Sequence, residues 1–269
     1  MNLATDCCDS LKALPPPSAA TRANAFAIIF CGHFDSADMS FYNDTVHVYK
    51  TLSGYIGVPV ENINVLHSTG FPASAVHTPT FKLKAATKAN LKEALSSPRL
   101  LSTCQELWLF LSGHSGIEGA IKCVVNTKAK KNELKLLQFQ TCIHNDDDLS
   151  TKTLNLRGLS PYQLTPSNLK SYIPTVDRIH LSIHSCQSGR FETVYDDISA
   201  TSFVSATGLT ETRDECVNKQ NWMTSLLWSQ TLAERLASND SDYDSLLKAH
   251  AKLVSCDRGK SPQFKFRQS

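Results

Sequence analysis

A cysteine and a histidine stand at the ends of two apolar runs, and this pair of residue types could do nucleophilic chemistry. The histidine closes Glu106-Leu-Trp-Leu-Phe-Leu-Ser-Gly-His114-Ser-Gly116, and the cysteine closes Arg178-Ile-His-Leu-Ser-Ile-His-Ser-Cys186-Gln-Ser-Gly189. A thiol becomes a competent nucleophile near neutral pH when an imidazole takes its proton or stabilises its thiolate. A single such cysteine with a histidine distant in sequence is a candidate catalytic pair. The chemistry would be acyl transfer, with Cys186 attacking a carbonyl carbon and His114 protonating the leaving group.

Both runs read as strands ending in small residues, and open α/β sheets bind ligands just beyond the carboxyl ends of their strands. The rest of the chain alternates in the same way. Strands are expected at about 25–31, 63–67, 106–112, 178–184, 201–206 and 263–266. Helices are expected at about 43–54, 87–96 with Thr87 as N-cap, 165–173 behind Thr165-Pro166, 221–237 and 241–255. A Thr/Pro/Ser-rich loop covers 68–80. This alternation argues for an α/β fold with a mostly parallel central sheet of about six strands and helices on both faces. Residues 1–23, with Pro15-Pro16-Pro17, read as a flexible leader to one domain over 24–269. An excursion at about 120–155 interrupts the alternation. Within it, the alternating 120–125 and 133–140 suggest a β-hairpin turning at Lys128-Ala-Lys-Lys131.

The surroundings of the two residues resemble a known family. Caspase-like cysteine peptidases, the group of caspases, metacaspases, legumain, gingipains and clostripain, carry a strand ending in Ser-Gly-His-Gly and a later strand ending in Cys, often followed by x-Ser-Gly. Here the two read Leu-Ser-Gly-His114-Ser-Gly and His-Ser-Cys186-Gln-Ser-Gly. Ala27-Ile-Ile-Phe-Cys-Gly32 looks like the family's first strand, and the stretch from Asn43 to Val65 resembles the helix, turn and second strand of legumain-type members. Ala200-Thr-Ser-Phe-Val-Ser-Ala-Thr-Gly208 resembles the strand after the cysteine. The resemblance implies the three-layer caspase-like fold and a cysteine endopeptidase acting through a Cys/His dyad and a thioester. It also implies an oxyanion hole made by the backbone N–H groups of Cys186 and Ser115. Relatives usually have glycine at position 115, and a side chain there narrows the available backbone angles.

Composition agrees with a single enzyme domain. A chain of 269 residues with 41% hydrophobic content can bury a sizeable core. A net charge of +2 is too small to argue for nucleic acid or a membrane surface as partner. No uninterrupted apolar run approaches the roughly 20 residues of a membrane span, and the N-terminus lacks a secretory signal, so a cytoplasmic monomer acting on a peptide or protein substrate is expected. The nine cysteines are scattered and show no zinc-ligand spacing, so no metal and no cofactor are expected, and most of them read as small buried hydrophobes.

Two other readings compete. Gly113-His-Ser115-Gly116 is similar to the Gly-x-Ser-x-Gly elbow of serine hydrolases, but position 117 is isoleucine and the elbow needs a helix directly afterwards. A catalytically silent caspase-like binding module is the other. For a substrate pocket, the family uses the loop after the first strand, residues beside the cysteine, and the segment after the fifth strand. These hold Asp35 and Asp38, His184, and Glu211 with Arg213. Asp35, Asp38 and Glu211 would favour a basic or polar substrate residue. His184, two residues before Cys186, would share its side of the strand. His47, His180 and His250 fall within regular elements and read as structural.

Overall fold

The structure, a computed structural model, describes residues 14–17, 19–32, 40–67, 81–113, 121–122, 163–208, 223–256 and 261–267. Seven strands form the central sheet: β1 (Ala25–Cys31), β2 (Ile63–His67), β3 (Leu83–Lys84), β4 (Glu106–Ser112), β7 (Arg178–His184), β8 (Ser202–Ser205) and β9 (Phe264–Phe266). Their order is β3-β2-β1-β4-β7-β8-β9. All neighbours pair in parallel except β8 and β9, which are antiparallel. The strand beyond the expected six is β3, two residues on the outer edge, too short for a periodic signal.

Strands β1 and β4 are apolar on both faces and β7 on one, and helices cover both sides of the sheet. On one face, Phe26, Ile28 and Phe30 of β1, Leu107, Leu109 and Leu111 of β4, and Ile179, Leu181 and Ile183 of β7 meet four helices. These are α2 (Lys88–Leu95), α3 (Pro98–Thr103), α4 (Pro166–Tyr172) and α5 (Glu192–Asp197). On the other, Ala25, Ala27, Ile29, Trp108 and Phe110 meet α1 (Ser40–Thr51), α6 (Met223–Ala237) and α7 (Asp242–Cys256). Each fully buried leucine or phenylalanine contributes roughly 1.5–3 kcal/mol by leaving water.

Local sequence sets where the helices begin. Thr87 caps α2 by accepting from the Asn90 N–H at 3.1 Å. At α4, Thr165 accepts from the Asn168 N–H at 3.1 Å while the Asn168 side chain accepts from the Thr165 N–H at 3.4 Å, with Pro166 in the first turn. The helix expected at 43–54 starts earlier and changes character: after α1 comes a π-helical turn, Leu52–Ile56. Gly57 ends it at φ 85°, and a Cβ there would fall onto the Ala20 carbonyl oxygen.

Of the leader, residues 14–17 and 19–23 run along the π-helical turn. The Tyr55 hydroxyl donates to the Pro15 carbonyl, the Ala19 N–H to Gly54 at 3.3 Å, and the Arg22 N–H to Gly57 at 2.8 Å. Arg22 then grips Asp242 of α7 through two bonds of 2.7 Å. Proline content reports stiffness, not whether a partner surface exists.

The two ends of the excursion pair with each other. Ile121–Lys122 (β5) pairs antiparallel with Gln163–Leu164 (β6), which closes the excursion just before α4. The segment 133–140 and the turn at 128–131 lie outside the described residues.

Candidate active site

The register between β4 and β7 organises the candidate site. Glu106 is opposite Arg178 at one end and Ser112 is opposite His184 at the other, so the two strands stop at the same level. Neighbouring strands run about 4.8 Å apart. Past β4 the chain continues into Gly113, whose φ of 141° suits glycine. Past β7 it continues into Ser185 and Cys186. Cys186 is half-buried, while Ser185 is fully buried. His114, Ser115, Asp35, Asp38 and Glu211 lie outside the described residues.

His184 is placed where a pocket residue cannot be. It is 0% exposed, its ring centroid is 4.8 Å from Phe110 and 5.5 Å from Trp228, and its Nε2 is 2.9 Å from the Ser182 hydroxyl. The period of two does carry His180, Ser182 and His184 to one side of β7, but that side is packed under α6. A ring enclosed there offers no surface to a substrate, so His184 is a buried strand-end histidine.

The turn that carries Cys186 is tightly specified. Gln187 adopts the left-handed conformation, φ 53° and ψ 27°, which costs a non-glycine residue about 1–2 kcal/mol. Such strain persists only where surrounding contacts over-determine the backbone, and here hydroxyls from the end of β8 do so. The Thr207 hydroxyl accepts from the Ser188 N–H at 3.1 Å and donates to the Ser185 carbonyl at 3.2 Å. The Ser188 hydroxyl accepts from the Thr207 N–H at 3.0 Å and lies 3.2 Å from Thr207 Oγ1. Ser205 Oγ donates to the Thr207 carbonyl at 2.8 Å and accepts from the Gln263 N–H at 2.9 Å. Gly189 completes the fit, its N–H donating to Gly208 at 3.3 Å.

These hydroxyls escaped the sequence reading. The run Ala200 to Gly208 was legible as a strand, but serine and threonine at a strand end look like ordinary solvated residues. Their one signal is alternation, since Ser205 and Thr207 share a face across from Ala206.

A charged cluster sits at the opposite end of the strands, where β4 begins. Glu106, 2% exposed, accepts from Arg22 at 2.9 Å, from Trp108 Nε1 at 3.0 Å and from Arg178 at 3.0 Å, with His180 Nε2 at 3.5 Å. Burial alone would raise this carboxyl, but close approach of His180 and the charges of Arg22 and Arg178 outweigh it and bring it down to about 2. At the far end of β2, burial pushes the His67 imidazole down to about 4. Thr45 Oγ1, whose one proton goes to the Phe41 carbonyl at 2.9 Å, stands 3.1 Å from His67 Nδ1 and therefore accepts from it.

Of the cysteines, Cys31 is buried and Cys104 is half-buried with its thiol pushed by burial up to about 11. Cys256 is buried in the apolar core as expected, and it is also disulfide-bonded. Among the described residues no helix is long and apolar enough to cross a membrane.

No family model and no curated protein matches this sequence. Among solved structures, the chain is similar to a secreted C11 cysteine protease from Bacteroides thetaiotaomicron, determined in complex with an irreversible peptide inhibitor. The TM-score is 0.41 and the identity 8%, over 87% of this chain and 59% of that one. The chain thus spans less than two thirds of that protein's length.

Proposed function

We propose that the chain is a caspase-like cysteine endopeptidase in which Cys186 is the nucleophile and His114 its proton partner. The observation that carries the reading is the register: Ser112 and His184 are paired, and His114 and Cys186 each follow by two residues. Cys186 Sγ attacks the peptide carbonyl, the thiol proton passes to His114 and then to the leaving amine, and water hydrolyses the thioester to regenerate the thiol. Backbone N–H groups of Cys186 and Ser115 hold the oxyanion. The strained, hydroxyl-braced turn at 185–189 is consistent with this role, because a nucleophile must be held still relative to its partner.

A basic or polar residue before the scissile bond is the substrate preference proposed, with Asp35, Asp38 and Glu211 as the acids.

The test is cleavage of a positional peptide library by the intact chain and by Cys186→Ala and His114→Ala. Each substitution is expected to lower the rate at least about a hundredfold, within the range for losing a nucleophile or a general acid–base. Activity retained within tenfold in either variant overturns the dyad. A dominant preference for aspartate overturns the pocket assignment and points to Arg213. A folded protein that cleaves no peptide supports a silent binding module instead.

A further inference from the structure

We propose that Thr207 is a positioning residue for Cys186, its hydroxyl clamping the two arms of the turn that presents the thiol. The proposal rests on Cys186 being the nucleophile. Its own ground is the hydrogen bonding at the end of β8.

The ladder between β7 and β8 runs from His180 opposite Ser202 to Ile183 opposite Ser205, and the Ala206 N–H still donates to the Ile183 carbonyl at 2.9 Å. Beyond that point β7 leaves the sheet to expose Cys186, so the Ser185 carbonyl and the Ser188 N–H lose the strand partners they would otherwise have. Both are buried, and an unpaired buried backbone group is costly. The Thr207 side chain takes over from the ladder. Its hydroxyl has one proton and two lone pairs, and all three are used: the proton on Ser185 O at 3.2 Å, and the lone pairs on Ser188 N at 3.1 Å and Ser188 Oγ at 3.2 Å.

The two backbone groups it joins flank Cys186 on either side. One hydroxyl therefore fixes the span from Ser185 to Ser188, inside which Gln187 must hold a left-handed conformation. Thr207, Ser188, Ser185 and Ser205 are each 0% exposed, so water does not compete for these bonds. A hydrophobic residue would fill position 207 with less desolvation. The hydroxyl is the part of threonine that this position uses.

The experiment compares the wild-type chain with Thr207→Val, which keeps the shape and removes the hydroxyl, and with Thr207→Ser, which keeps the hydroxyl. Peptide cleavage gives kcat and KM, and alkylation of Cys186 by iodoacetamide, followed by peptide mass spectrometry with Cys104 as the slow internal reference, reports the thiol itself. Thr207→Val is expected to lower kcat and the alkylation rate by about tenfold to a hundredfold, the scale of an ångström-sized misplacement, with KM within threefold. Thr207→Ser is expected to restore both to within threefold of wild type. Rates for Thr207→Val within twofold of wild type, or equal impairment of both variants, overturn the clamp while leaving the nucleophile reading standing. A wild-type Cys186 that alkylates no faster than Cys104, in a protein that cleaves nothing, overturns the nucleophile and the clamp with it. If Thr207→Val does not fold, Ser188→Ala takes its place. It removes the contacts of Ser188 Oγ with the Thr207 hydroxyl and with the Thr207 N–H, and a severalfold loss is expected where an unchanged rate overturns the proposal.

Discussion

Replacing Gly189 by alanine tests how closely the Cys186 turn is packed against the end of β8. The new Cβ would lie 2.8 Å from the carbonyl carbon of Gly208, 3.1 Å from its oxygen and 3.2 Å from Gln263 Oε1. Carbon atoms rest at about 3.5–4.0 Å, so the nearest contact is too short by roughly 0.7 Å. Two of the three atoms are backbone and cannot rotate away, which leaves separation of the turn from Gly208 as the way out. Separation breaks the 3.3 Å bond from the Gly189 N–H to Gly208. Overpacking costs about 1–3 kcal/mol and the hydrogen bond about 0.5–1.5 kcal/mol. Reduced freedom of the unfolded chain returns about 0.4–1 kcal/mol. The net expectation is a loss of about 0.5–4 kcal/mol, centred near about 2 kcal/mol, read as a lower urea midpoint at unchanged slope. The alkylation of Cys186 should slow in parallel, because the displaced segment begins three residues after it. Gly54→Ala is the control: its Cβ meets only the Pro17 side chain, at 3.2 Å and 3.4 Å, and its stability should stay within about 1 kcal/mol of wild type. A Gly189→Ala protein as stable as wild type within about 0.5 kcal/mol would refute the close packing on which the argument depends.

Three further outcomes are expected. His67 is neutral in the folded protein down to about pH 4 against about 6.5 unfolded, so the stability it contributes is complete above pH 6.5 and falls by about 3 kcal/mol as pH drops to 4. An NMR titration should show at least one of the nine imidazoles still neutral at pH 5, and nine imidazoles all charged there would contradict it. Glu106→Gln leaves Arg178 and His180 facing no carboxylate and should cost about 3 kcal/mol in urea unfolding. It should also flatten the acid limb between about pH 4.5 and 2, where Glu106, lowered to about 2 in the fold, is protonated; an unaltered limb would remove Glu106 from the network. Finally, thiol counting on the unfolded, unreduced chain should find at most seven of the nine cysteines reactive, and nine would eliminate the disulfide at Cys256.

What the sequence determined by itself was local. The runs 25–31 and 106–112 are apolar on both faces and 178–184 on one, and their strands span those same residues because a covered sheet is what buries such runs. Thr87 and Thr165-Pro166 were readable as helix starts because a cap needs only the next three residues. Tertiary structure decided what depends on partners far along the chain. His184 shares a side of β7 with Ser182, and only the packing of Phe110 and Trp228 over it turned that side inward and removed it from any pocket. Arg22 reads as one more basic residue in a proline-rich leader until β4 brings Glu106 and α7 brings Asp242 to it. Thr207 lies 21 positions after Cys186, and its hydroxyl has meaning only because β7 ends two residues before the thiol while the chain just past β8 runs beside the turn. Hydrophobic periodicity reports which face of an element is buried. It carries no information about register, and register is what brings hydroxyls, carbonyls and the thiol-bearing turn within hydrogen-bond reach of one another.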